Sequence, residues 1–380
     1  FAEFMAIKEH FGNQALQKWD DKKAVARDPS ALEKYRSMLA EQIQYFKVTQ
    51  YFFFKQWSEL KDYANQRGIK IIGDMPIYVA ADSVEVWTKP ELFQLDKERN
   101  PLFVAGVPAD QFSATGQLWG NPLYAWEEHK KQGYAWWIHR IEESFKIYDV
   151  LRIDHFKGFS DYWQVDGKAE VAKDGSWQPG PGYDLFKAVK EQLGDLPIIA
   201  EDLGNIDDKA RKLLADCNYP GMKILQFGFE DVSGKSLDSP HYCISHSIVY
   251  TGTHDNDVTN GWYNSLTEQQ QQYINDYTHR REDESICQAM IRQLFATVSN
   301  TAIATMQDVL DLPASSRMNV PSTIGGNWQW RMQQSDLTQD KKDFLAKMTT
   351  LYQRANQEKT MIKFSTFVKN ETNKSLEQLS

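Results

Sequence analysis

Cysteine is nearly absent: Cys217, Cys243 and Cys287 are the only three in 380 residues. A small, odd, widely spaced set builds neither a disulfide framework nor a zinc site, and a reducing cytoplasm is the expected location. No run of about 18 apolar residues is present, so no membrane span or membrane partner is expected. Positive charge is in deficit. Lys and Arg number 43 against 52 Asp and Glu, leaving a formal net charge of −9. Such a surface repels phosphate backbones, and nucleic acid is not an expected partner. No Gly-rich phosphate fingerprint follows any apolar run, and no repeat or low-complexity tract occurs. A charged n-region followed by an apolar h-region is missing, so no signal peptide is expected. Position 1 is Phe rather than Met, from which an upstream segment is expected.

What is present is an alternation of apolar runs with amphipathic stretches, the pattern of a parallel α/β fold. Phe46, Phe53, Phe54, Trp57, Leu60 and Ala64 recur at helical spacing, with Gly68 as a stop. Six segments read as buried strands: residues 69–79, 150–155, 197–202, 222–227, 248–255 and 302–306. Helices are expected over 136–145, 183–193 and 207–215, and 281–305 reads as helical before the last strand. Residues 90–126, rich in Gly, Pro, Asn and aromatics, break the rhythm and are too long for an ordinary connection. A closed (β/α)8 barrel of the TIM type needs eight strands. Six are visible, so the first two are expected upstream of this chain; an open doubly wound sheet is the alternative. The expected organisation is one N-terminally incomplete catalytic barrel domain over 1–352 with loop insertions, including 90–126. A C-terminal helix or tail is expected over 353–380.

The strand ends carry acids. Asp74 follows 69–73, Asp154 follows Leu151-Arg152-Ile153, Glu201 and Asp202 follow Ile198-Ile199-Ala200, and His254 and Asp255 follow 248–253. Acids at the carboxyl ends of parallel strands converge on one face of a barrel, where barrel enzymes keep their sites. A lone Asp after a strand is more often a turn residue or helix cap, a reading held about even with a functional one for Asp74 and Asp202. Four strands ending in acids are harder to explain that way, because buried charge is costly unless paired or used. Arg152, two residues before Asp154 on the same side of the strand, is placed to orient that carboxylate, whether as a catalytic aid or as a structural ion pair. Retaining glycosidic cleavage wants such a set: one ionised nucleophile, one protonated acid, and a third carboxylate for the charge that builds on the sugar. A Mg²⁺-dependent lyase or enolase-type site would also put acids there.

Several stretches resemble the amylomaltases, the 4-α-glucanotransferases or disproportionating enzymes of the wider α-amylase superfamily. These are Gly73-Asp-Met-Pro-Ile-Tyr-Val79, residues 112–124 with Gln-Leu-Trp-Gly-Asn-Pro, Leu151-Arg-Ile-Asp-His-Phe156, Ile199-Ala-Glu-Asp-Leu-Gly204, residues 220–227, Tyr250-Thr-Gly-Thr-His-Asp-Asn256, Arg317-Met-Asn-Val-Pro321 and Gly326-Asn-Trp-Gln-Trp330. The resemblance covers about residues 1–352 and lacks the family's N-terminal segment. It implies Asp154 as nucleophile, Glu201 as general acid/base and Asp255 as transition-state stabiliser. Arg152, His254, Asp74, Trp119, Asn121 and Tyr78 are implied in substrate binding, with no metal and no cofactor. The implied partners are maltooligosaccharides and other α-1,4-glucans. A simple α-glucan hydrolase, or an inactive truncated glucan-binding fragment, is the alternative. Trp136, Trp137, Trp328 and Trp330 read as packed side chains more readily than as sugar platforms. Residues 127–131 read as a solvated helix face, and Tyr51-Phe52-Phe53-Phe54 as core. His10, His129 and His139 show no spacing that demands a metal.

Overall fold

The computed structural model describes residues 1–109, 115–204 and 206–355. The expected C-terminal helix or tail and residues 112–114 of the long motif therefore lie outside the described residues, apart from 353–355. The chain divides into two compact units, Phe1–Gly221 and Met222–Ser380. Among the described residues, no helix is long and apolar enough to cross a membrane.

Among the described residues ten strands form: β1 (Ile72–Met75), β2 (Phe103–Val107), β3 (Gln117–Pro122), β4 (Val150–Ile153), β5 (Asp161–Asp166), β6 (Ser176–Pro179), β7 (Ile198–Ala200), β8 (Gly221–Ile224), β9 (Ser247–Tyr250) and β10 (Thr301–Ile303). In the first unit β1, β4 and β7 make a parallel sheet in that order. Asp74 pairs with Arg152, and Arg152 with Ile199. This register sets the ends of three strands side by side. The centre of the sheet is dry: Leu151, Ile153, Ile198, Ile199 and Ala200 are buried, as expected where helices cover a parallel sheet on both faces. Gly73 lets β1 approach the Ala135–Ile147 helix and its exit; a Cβ there would sit 2.0 Å from the Tyr148 ring.

β2, β3, β5 and β6 form a second, antiparallel sheet in the order β3-β2-β5-β6. The disruptive stretch 90–126 thus contributes two strands of a sheet completed by 161–179. β8, β9 and β10 lie together in chain-adjacent order, with β9 and β10 parallel, and the second unit's core holds Leu225, Phe229, Val249, Trp262, Met290 and Leu294.

All six expected strands are present, shorter than their apolar runs. Two overran: Leu225–Glu230 and Met306–Val309 are helices. The Ala40–Asn65, Ala135–Ile147, Tyr183–Leu193 and Asp208–Cys217 helices match the expected positions, whereas of 281–305 only Ile286–Ala296 is helical. Tyr51-Phe52-Phe53-Phe54 is not core; all four are about half exposed. Four consecutive residues on a helix span its whole circumference at 3.6 residues per turn, so no single packed face could take them. The Trp126–Lys131 helix is solvated on one side only, since His129 is buried and its Nε2 lies 3.1 Å from the Leu92 carbonyl. That burial pushes the His129 pKa down to about 4.

Candidate active site

Three strands of the first unit bring Asp74, Arg152, Asp154 and Glu201 together. Arg152 is buried, and its Nη1 donates to Asp74 Oδ1 at 2.6 Å and Oδ2 at 2.7 Å, and to Asp154 Oδ1 at 3.0 Å. Burial alone would lower the arginine's pKa, but the Asp74 and Asp154 carboxylates, with a smaller contribution from Glu201, outweigh it and raise it. One buried cation therefore serves two carboxylates. The expected Arg152–Asp154 contact is present; the tighter one is to Asp74, fixed by direct cross-strand register.

Glu201 sits one residue beyond β7. Its Oε2 accepts the His155 backbone N–H at 2.8 Å, and its Oε1 accepts the Leu203 N–H at 2.8 Å. Both hydrogen bonds favour the ionised form. Burial, and then the negative charge of Asp154, work the other way and push the pKa up to about 7. A carboxyl so placed exists in both forms near neutrality, which a residue that gives and then takes a proton needs.

The backbone around this pair stays within the parallel ladder. The Asp154 N–H donates to the Met75 carbonyl at 3.0 Å, the Glu201 N–H to Ile153 at 3.0 Å, and the Phe156 N–H to Glu201 at 3.1 Å. Asp154 has a 40% exposed side chain and is open to a ligand. Trp119, on β3, is 36% exposed and sets its indole edge-on to the His155 ring at 4.9 Å between centroids. Tyr78 is buried, stacked on Tyr124 and tilted against Trp119. Asn121 Nδ2 donates to the Val79 carbonyl at 2.9 Å, tying β3 to the segment after β1.

In the second unit Asp255 and His254 follow β9. Asp255 Oδ1 accepts from Asn319 Nδ2 at 2.6 Å, and its backbone carbonyl accepts from Arg317 Nη2 at 2.6 Å. His254 Nε2 lies 3.3 Å from Asp255 Oδ2. Trp328, 62% exposed, lies 5.0 Å from the His254 ring.

Sequence reasoning singled out neither His155 nor the pair Arg317 and Asn319, and it favoured packing for Trp328. The spacing Arg-x-Asn, some sixty residues after His-Asp, was the available signal for the pair. Among the described residues, His139, Glu142 and Glu143 bring donor atoms close enough for a metal ion. They are exposed on one helix, and Lys146 already pairs with Glu143.

A family model described as 4-alpha-glucanotransferase matches residues 1–338. The 4-alpha-glucanotransferase of Streptococcus pneumoniae is 53% identical over 94% of this chain and 71% of its own length. That of Clostridium butyricum is 43% identical over 93% of this chain and 73% of its own. A solved amylomaltase from Streptococcus agalactiae, in complex with acarbose, is 60% identical with a TM-score of 0.92, covering 94% of this chain and 72% of that one.

Proposed function

Because this chain belongs to the 4-alpha-glucanotransferase family, we propose that it moves α-1,4-glucan segments between maltooligosaccharides by retaining double displacement. The observation that carries the mechanism is the contrast between two neighbouring carboxyl groups. Asp154 Oδ1 accepts a hydrogen bond from the Arg152 guanidinium at 3.0 Å, which fixes its aim. Glu201 is burdened by burial and by the negative charge of Asp154, and so retains a proton up to about pH 7. Environments that separate two carboxyls in this way assign the acid and the nucleophile.

Glu201 gives its proton to the bridging oxygen as Asp154 Oδ attacks the anomeric carbon. The glycosidic C–O bond breaks, a glycosyl ester to Asp154 forms, and the leaving sugar departs with the proton. The 4-hydroxyl of a second glucan then loses its proton to Glu201 and attacks the same carbon, expelling Asp154. Arg152 offsets the changing charge on Asp154 without leaving Asp74. Asp255 takes the role of transition-state stabiliser from its position in the Thr-His-Asp-Asn motif, with His254 as a ligand for sugar hydroxyls. Trp119 offers an exposed ring to the apolar face of a sugar. Tyr78 and Asn121 support that ring and its strand. Asp74 both pairs with Arg152 and presents an exposed carboxylate to sugar hydroxyls. The reading goes with a (β/α)8-type barrel domain over residues 1–352, supported by parallel strands among which β1, β4, β7 and β9 lead into acids at their carboxyl ends. Three free, separated thiols fit a cytoplasmic location.

Incubation with maltotriose and separation of products by length tests the activity. Glucose with a ladder of longer maltooligosaccharides is the expected result. Glucose and maltose alone would make the enzyme a hydrolase.

A further inference from the structure

We propose that His155 is the positioning residue for Glu201, acting through its backbone N–H, which the left-handed conformation of the residue aims at the carboxyl group. The proposal rests on the assignment of Glu201 as acid/base.

Residue 155 lies at φ 48° and ψ 50°, in the left-handed region. A residue with a side chain is strained there. The conformation has a consequence for three successive amides. Those of Asp154 and Phe156 both donate to main-chain carbonyls, of Met75 and Glu201. The amide between them is turned out of the ladder and donates to Glu201 Oε2. An extended residue at 155 would aim this N–H elsewhere and leave the oxygen without its donor.

The ring is packed on two sides. Its edge-on packing against Trp119 closes one side. On another side lies Gly158, where a Cβ would come within 3.1 Å of His155 Cδ2 and 2.7 Å of Ile77 Cδ1. Burial pushes the imidazole pKa down to about 4, so near neutrality the ring is uncharged. It adds no charge beside Glu201. The charged groups acting on Glu201 are Asp154, which raises its pKa, and Arg152, itself paired with Asp74, which lowers it. The His155 and Leu203 amides are its two backbone donors. Removing the His155 donor therefore raises the pKa of Glu201 and frees its carboxyl to rotate.

Three variants separate this role from direct contact of the ring with sugar. Asn tolerates the left-handed region and Val does not. His155→Asn is expected to keep kcat for maltotriose disproportionation within about threefold, with the basic limb of its pH profile in place. His155→Val is expected to lose about 100-fold in kcat with KM little changed, a loss typical of a displaced acid/base. Its remaining activity should show the basic limb at higher pH. Glu201→Gln is measured alongside. If it turns over normally, the acid/base assignment fails; if it is inactive while His155→Val is normal, only the positioning role fails. A folded His155→Asn with kcat down more than tenfold overturns the proposal, and it decides alone should the Val variant not fold.

Discussion

Replacing Glu201 with Gln should change the pH dependence of stability by an amount the structure sets. In the folded protein the carboxyl titrates near 7 against an ordinary value of 4.5. At pH 4 it is largely protonated in both the folded and unfolded states, and its burial imposes no ionisation penalty. As the pH rises through 4.5 the unfolded chain releases the proton first, and the folded state loses stability relative to it until about pH 7. The gap corresponds to about 3 kcal/mol. Gln carries no such dependence. It does leave one of the two amide donors, of His155 or Leu203, facing its NH₂ group, a loss of about 1–3 kcal/mol that is the same at every pH. The variant should therefore be equal or inferior to the parent at pH 4 and gain on it by about 3 kcal/mol by pH 8. For a unit of this size that is a swing of about 6–12 °C in the difference between their Tm values. Thermal scans of both proteins at pH 4, 5, 6, 7 and 8 measure it. A difference that stays flat, or one that moves against the variant as pH rises, would refute the argument that Glu201 is held protonated near neutrality.

Further outcomes follow from the same contacts. Asp154→Asn should abolish transfer while leaving the fold intact, because Arg152 keeps its two contacts to Asp74. It should also shrink the pH-dependent swing of Glu201→Gln when the two are combined, since the Asp154 charge is one of its causes; an unchanged swing would separate the two carboxyls electrostatically. Gly73→Ala should cost about 1–3 kcal/mol or more through collision with the Tyr148 ring. Denaturant unfolding should show most of that loss recovered in Gly73→Ala/Tyr148→Ser. Asn319→Ala removes the donor to Asp255 Oδ1 and should lower kcat about 10- to 100-fold, the equivalent of a hydrogen bond to a charged group. A change confined to KM would argue that Asp255 does not depend on that donor.

The strands at 72–75, 150–153, 198–200 and 247–250 were legible because each is an apolar run leading into an acid. Asp154 and Glu201 could be named for the same reason. The antiparallel sheet could not. Its strands come from 103–122 and 161–179, carry Gly, Trp and Asn among half-exposed positions, and show no clean alternation. The dominant partner of Arg152 was also hidden: Asp74 lies 78 positions away and meets it only through the register of β1 on β4. The turned amide of His155 left no trace in composition, because a left-handed residue is marked in sequence only when it is Gly or Asn. Consecutive aromatics at 51–54 do not mark a core, because the helix scatters four successive side chains around its axis.

In the proposed mechanism Asp154 forms the glycosyl ester and Glu201 serves its formation and breakdown. A maltosyl fluoride of α configuration needs no acid to expel its leaving group, so the Glu201→Gln variant should glycosylate itself with this donor and then stall for want of a base. Mass spectrometry of the intact protein should show one added maltosyl group, and peptide mapping should place it on the peptide carrying Asp154. A label on any other residue, or none on a folded variant that consumes the donor no faster than buffer does, would contradict the account.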